Sequence, residues 1–292
     1  MIITNVTKLR DPFILVDNGV YYMYGTNVEG DWNEQSWWDC YKNDTGRLDG
    51  EWKKLGKPIA VVPEDSLKNR WAPEVHKYKD AYYMFTTYYS KKLNHRGCTI
   101  LKSDSPEGPF VEISDGTITP RDWDAIDGTL YIDSDNTPWL IFVHEWTCTD
   151  DGIGRMAAAK LSDDLTHLIS EPIELFRADD PKWACGHRVT DGCFMYTTKN
   201  GSLLMIWSNS DKDGYCVGIA RSENGKVDGK WIQQEKLLYS KEMTGTDGGH
   251  GMIFSDDDSK MYLCIHSPNK TIEKAVIIPI CEKDDTLVLQ LD

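Results

Sequence analysis

Three aspartates and one histidine recur at nearly even spacing, each placed before Pro or Gly at the start of an apolar stretch. They are Asp11-Pro12-Phe13, Asp127-Gly128-Thr129, Asp191-Gly192-Cys193 and His250-Gly251-Met252, with Ala72-Pro73-Glu74 at the remaining position. Successive openers stand about 55 to 64 residues apart, a period that holds four short strands but is too long for a solenoid coil. One Asp before Pro or Gly is a common turn residue that bonds nearby backbone N–H groups. Three at equivalent positions converging on one place are costly unless proton uptake, a cation or a reaction offsets their repulsion. Two chemistries use such a ring: hydrolysis of a glycosidic bond, and an oxygen-liganded divalent cation site. In hydrolysis one carboxylate deprotonates water, a second group protonates the leaving oxygen, and a third charge holds the acid's pKa up. Inverting hydrolysis needs acid and base roughly 6.5–9.5 Å apart, a spacing that carboxylates on separate units across a channel would supply.

The elements that must position these residues are strands. Each unit turns on polar or Gly residues, at Asp17-Asn18-Gly19, Lys79-Asp80, Asp133-Ser134-Asp135-Asn136, Lys199-Asn200-Gly201 and Asp256-Asp257-Asp258-Ser259, between β-branched and aromatic runs. These are hairpin signals. Returning strands such as Val20–Tyr24 and Leu203–Trp207 are apolar at nearly every position, as strands buried between neighbouring layers are. Leu48-Asp49-Gly50-Glu51-Trp52, the Gly108-Pro109-Phe110 run and Gly229-Lys230-Trp231 fall at one phase of the repeat. The pattern predicts an all-β chain, a five-bladed β-propeller with four antiparallel strands per blade, forming a single domain over 1–292 with its units filling residues 10–292. Segments 27–47, 89–97, 144–155 and 176–189 are predicted loops, where function concentrates.

In a propeller the starts of the innermost strands crowd one mouth of the channel. Asp11, Asp127, Asp191 and His250 are therefore expected there, with Tyr88, Glu145, Trp146, Asn209 and Asn269 from the ends of returning strands. Trp71, Trp146 and Trp183 are candidate platforms for sugar faces, the competing role being packing between blades. Arg188 and His187 are candidate contacts to substrate hydroxyls, and Glu74 to a pocket wall. A formal net charge of −15 argues against nucleic acid or anionic membrane as a partner. No apolar run of 18 or more residues is present, so no membrane-spanning helix is expected. Eight cysteines without a Cys-x-x-Cys pair are expected as reduced thiols in the cytoplasm, a periplasmic or secreted location after signal removal being the alternative.

Arg10-Asp11-Pro12, Trp71-Ala72-Pro73-Glu74-Val75, Ile126-Asp127-Gly128 and Thr190-Asp191-Gly192, followed by His250, resemble glycoside hydrolase family 43 over essentially the whole chain. The resemblance implies an inverting glycosidase acting on β-D-xylosides or α-L-arabinofuranosides in a carbohydrate substrate, here expected to be exo-acting. It implies Asp11 as general base and Asp127 as the charge that tunes and orients the acid. The family's acid is a Glu in Glu-Gly-Pro, whereas this chain reads Asp191-Gly192-Cys193; Asp191 is the first candidate and Glu145 the second. The resemblance also implies that no cofactor is required and that His250 in the channel admits a hydrated calcium. A non-catalytic carbohydrate-binding propeller that has lost its acid is the competing reading.

Overall fold

A computed structural model describes residues 1–31, 33–34, 36–270 and 272–291 of the chain. Its strands form five antiparallel sheets arranged as the blades of a β-propeller, with one single-turn α-helix, Lys241–Thr244, among the described residues. Blade 1 holds Leu9–Asp17, Val20–Asn27, Trp37–Asn43 and Lys53–Lys54; blade 2 holds Ser66–Tyr78, Ala81–Ser90, Arg96–Ser103 and Val111–Glu112. Blade 3 holds Ala125–Ile132, Pro138–His144, Arg155–Lys160 and Ile173–Arg177; blade 4 holds Asp191–Thr197, Leu203–Ser210, Tyr215–Ser222 and Trp231–Gln233. Blade 5 holds Gly249–Ser255, Met261–Ser267 and Lys274–Lys283, and its fourth position is composite. Ile2–Thr7 pairs with one end of the third strand and Thr286–Leu289 with the other. The units therefore do not start at residue 10: the first strand of the chain completes the last blade and closes the ring.

Local chemistry explains the blades. Asn18 and Gly19 both have positive φ (53° and 76°), so the blade 1 hairpin turns with the backbone that Asn-Gly favours. The second strands bury almost every residue, Met23, Phe85, Phe142, Ile206 and Ile265 among them, because each lies between neighbouring blades. Trp52 and Trp231 mark a shared device of the outer strands: each indole is buried and donates to the carbonyl four residues earlier, Leu48 and Val227. Apolar clusters run across the joints between blades, so truncating a side chain such as Phe142 to Ala would cost about 3–5 kcal/mol.

The predicted loops are corrected in part. Segment 27–47 contains the strand Trp37–Asn43, whose alternating inward residues Trp38 and Cys40 are buried; its Trp32 and Gln35 lie outside the described residues. Segment 89–97 is a turn over 91–95 flanked by the ends of the strands Ala81–Ser90 and Arg96–Ser103. Segment 176–189 begins with the last two residues of the strand Ile173–Arg177 and is otherwise irregular apart from one 3₁₀ turn, Lys182–Ala184.

Candidate active site

Every innermost strand opens with the same irregularity. Pairing with the second strand jumps by one residue between Arg10 and Phe13, Trp71 and Glu74, Ile126 and Thr129, Asp191 and Phe194, and Gly249 and Met252. These are β-bulges, which re-aim side chains at a sheet's edge. The first bulged residue has left-handed φ in each: Asp11 (53°), Ala72 (45°), Asp127 (55°), Gly192 (46°) and His250 (51°). For the four that are not glycine this conformation is strained, and surrounding structure must hold it.

The equivalence expected for blade 4 is thus off by one residue. Gly192 occupies the position of Asp11, Asp127 and His250, whereas Asp191 sits one earlier, in the place of Arg10, Trp71 and Ile126. A Cβ on Gly192 would lie 2.7 Å from Cγ of His250, so only glycine fits there. An acid in blade 4 must project from the preceding residue.

Asp11, Asp127, Asp191 and His250 line one cavity of about 280 Å³, together with Arg10, Trp71, Glu145, Trp146, Tyr215 and Asn269. His250 Nδ1 stands 3.2 Å from Asp11 and 3.8 Å from Asp127. Asp11 accepts from Thr26 Oγ1 at 2.7 Å, and its own N–H donates to His266 Nδ1 at 3.2 Å. That bond defines the tautomer of His266: its Nε2 carries the proton, 3.1 Å from Asn269 Oδ1. Asn269 in turn receives the Arg10 guanidinium through its side chain (3.0 Å) and backbone carbonyl (3.2 Å). Asp127 Oδ2 accepts from the Gly192 N–H at 3.1 Å, and Asp191 Oδ2 from the Tyr215 hydroxyl at 3.0 Å.

Similar groups in one cavity are driven apart in acidity. Burial opposes ionisation of Asp11, but the charges of His250 and Arg10 and the Thr26 hydrogen bond outweigh it, leaving its pKa below the ordinary value. For Asp127 burial prevails, aided by the charge of Asp11, and the pKa rises to about 6. Burial and then the charge of Asp127 push Asp191 well above a normal carboxyl. His250 is pulled two ways: burial disfavours its charge, yet Asp11, Asp127, Asp191 and Glu74 raise its pKa on balance. Burial, with Arg10 nearby, lowers His266 to about 3, so it stays neutral. One cavity wall therefore presents a carboxyl biased toward ionisation, Asp11, and another a carboxyl biased toward keeping its proton, Asp191.

A sequence profile described as Glycosyl hydrolases family 43 matches residues 3–285. The chain belongs to glycosyl hydrolase family 43. It is similar to the crystal structure of an endo-arabinase from Bacteroides thetaiotaomicron VPI-5482, at 36% identity and TM-score 0.84, over 97% of this chain and 98% of that one. It is also similar to an endo-1,4-β-xylanase from the same organism, at 25% identity and TM-score 0.79, over 100% and 97%. A probable arabinan endo-1,5-α-L-arabinosidase C of Aspergillus niger is 23% identical over 91% of this chain and 85% of that protein. As a family 43 member the chain is a glycoside hydrolase of the inverting type.

Within this family 43 propeller, several expected residues stand elsewhere. Trp183 packs on Trp207 (ring centroids 5.2 Å apart) and over Gly218, where a Cβ would meet its ring at 2.3 Å; it lies half-buried against the blade 4 core and outside the cavity. Glu74 is buried deeper in the channel, 3.2 Å from His76 Nε2, because the bulge at Ala72 turns it down the strand. Arg188 and His187 are exposed, and Arg188 reaches outward to the Asp151 carbonyl at 3.5 Å. Tyr88 bonds Glu112 and Asn209 bonds the Ala178 carbonyl, both away from the cavity. Trp71, Trp146 and Glu145 do line it, with the Arg96 guanidinium 5.8 Å from the Trp71 ring centroid and 2.6 Å from Glu145. Burial raises the pKa of Glu145 as well, against the pull of Arg96.

Arg10, Tyr215, Arg96 and His266 were not singled out from sequence. Arg10 alone carried a signal, since it precedes Asp11 directly; the others come from later strands. All eight cysteines are free thiols. Among the described residues no group of three or more His, Cys, Asp or Glu is arranged to hold a metal ion. His250 Nε2 is buried without a hydrogen-bond partner. A hydrated cation facing that single atom is the one metal arrangement these residues fit, and it would supply positive charge beside the carboxylates, as protonated His250 does.

Proposed function

We propose that this enzyme hydrolyses α-L-arabinofuranosides, with Asp11 as general base, Asp191 as general acid and Asp127 as the charge that keeps Asp191 protonated. One observation carries the assignment: Asp11 and Asp191 face the same cavity with pKa values displaced in opposite directions. Asp11 takes a proton from water on one side of the sugar, and Asp191 gives its proton to the leaving oxygen. Trp71 and Trp146 offer apolar faces to the sugar. Glu145 serves as a hydrogen-bond acceptor for substrate hydroxyls, since Arg96 already binds its carboxylate.

The choice of arabinose over xylose is supported by the 36% identical structure described as an endo-arabinase. A cavity at the lower end of the range for small-ligand sites suits a terminal sugar and its neighbour, which supports exo action. Internal cleavage is the second reading, favoured by the description of that same relative. Linear arabinan separates them: exo action releases single pentoses from the outset, whereas internal cleavage gives mixed oligomers and a rapid fall in viscosity.

Leaving-group dependence tests the residue roles. Asp11→Ala is expected to lose about 10²–10⁴-fold in kcat/KM on natural and activated aryl substrates alike. Asp191→Ala is expected to lose as much on arabino-oligosaccharides but to recover most activity on a dinitrophenyl glycoside, whose leaving group needs no proton. Recovery in Glu145→Ala and not in Asp191→Ala would transfer the acid role to Glu145.

A further inference from the structure

The five bulges leave five backbone N–H groups facing the joint with the preceding blade, and four are answered in one way. Ala72 donates to Thr26 Oγ1 (2.7 Å), Asp127 to Thr87 Oγ1 (3.0 Å), His250 to Ser208 Oγ (2.8 Å) and Asp11 to His266 Nδ1 (3.2 Å). Each acceptor lies on the second strand of the preceding blade, directly across from the residue before that blade's own bulge: Thr26 opposite Arg10, Thr87 opposite Trp71, Ser208 opposite Asp191, His266 opposite Gly249. In blade 3 the same place, opposite Ile126, is taken by Val143, which has no acceptor. The fifth N–H, that of Gly192, donates instead to Asp127 Oδ2 at 3.1 Å.

We propose that Val143 is a positioning residue: by withholding an acceptor from the Gly192 N–H, it leaves that donor to grip the Asp127 carboxylate and aim it within the catalytic cavity. Its place in the reaction rests on the role given to Asp127 above. A buried N–H is costly to leave unpaired, so Gly192 must find an oxygen, and with Val143 silent the carboxylate is the one it reaches. The bond is charge-assisted and stronger than the neutral bonds at the other joints. Asp127 carries a left-handed backbone and Gly192 admits no Cβ, so neither end of the bond is free to swing away. Val143 is fully buried and packs in the cluster that joins blades 3 and 4, with Cys193 among its members. Threonine matches valine in shape, so Val143→Thr would offer the Gly192 N–H a rival acceptor at the position that serves the other joints.

The test is a carboxyl titration by ¹³C NMR on aspartate-labelled enzyme, with Asp127→Asn to assign the resonance. Asp127 should titrate near 6 in the wild type, and the Gly192 amide proton shift should follow with the same midpoint. In Val143→Thr the Asp127 midpoint should rise by roughly half a pH unit or more, because a donor to the charged form is lost, and the Gly192 amide should cease to follow it. Val143→Ala, which lacks the hydroxyl, should titrate as wild type although it is less stable. A Gly192 amide that ignores Asp127 in the wild type overturns the proposal without any variant, as does an equal shift in the Ala and Thr variants. If the titration behaves as stated but kcat on an aryl arabinofuranoside is unchanged in Val143→Thr, the grip on Asp127 stands and the catalytic role of Asp127 falls.

Discussion

Asp11, Asp127 and Asp191 differ in function because they differ in neighbours. Asp11 has two cationic partners and a hydroxyl, Asp127 shares His250 with Asp11 and has one backbone donor, and Asp191 has one hydroxyl and a carboxylate facing it. Replacing Asp127 by Asn removes the negative charge that raises the Asp191 pKa. The alkaline limb of kcat/KM should therefore move to lower pH, measured on an aryl arabinofuranoside whose leaving group needs protonation. Stability should change with the opposite pH preference. A carboxyl whose folded pKa is raised from 3.8 to about 6 favours folding below its unfolded pKa, and that contribution is lost as pH rises through 6. Asn does not titrate, so Asp127→Asn should melt higher than wild type at pH 8 by more than at pH 4. For Asp11 the sign is reversed: its lowered pKa contributes stability above the unfolded value and loses it as pH falls through the folded one.

At the scale of the element, the bulge that opens each innermost strand is the part that turns a regular sheet into a site. It sets one residue into left-handed backbone and directs its N–H at the joint with the preceding blade. Blade 4 uses glycine at this position for two separate reasons, the positive φ and the ring of His250 within 2.7 Å of any Cβ. Gly192→Ala should consequently cost about 2–4 kcal/mol, read as a lower urea midpoint, and displace His250 from Asp11. An unchanged midpoint would mean that the blade 4 backbone can retreat. The repeat in the sequence showed that all five strands open alike; the one-residue offset of Asp191 was hidden, because Asp191-Gly192 and Asp127-Gly128 read identically along the chain. Only cross-strand pairing distinguishes them, Asp191 facing Ser208 while Asp127 falls inside its bulge.

For the whole molecule the decisive contact is ring closure. Ile2–Thr7 pairs with the third strand of blade 5 and buries Val6, and Thr4 Oγ1 donates to the Ala275 carbonyl at 2.9 Å. Deleting residues 2–7 opens the joint between blades 5 and 1. With about 3 kcal/mol or more lost from burial and pairing, the melting temperature should fall by about 5–10 °C, and activity should fall with it because Arg10 and Asp11 follow directly. The amino-acid sequence by itself determined the blade count, the hairpins, the family pattern and the set of carboxylates, since alternation, turn residues and a repeat are properties of neighbours along the chain. It left unmarked which carboxyl is biased toward holding its proton, that Trp183 packs against the blade 4 core, that Arg188 points away, and that Val143 interrupts a ring of acceptors. Those depend on burial and on partners that are distant in sequence, such as Tyr215 for Asp191 and His266 for Asp11, which meet only when five blades close around one channel.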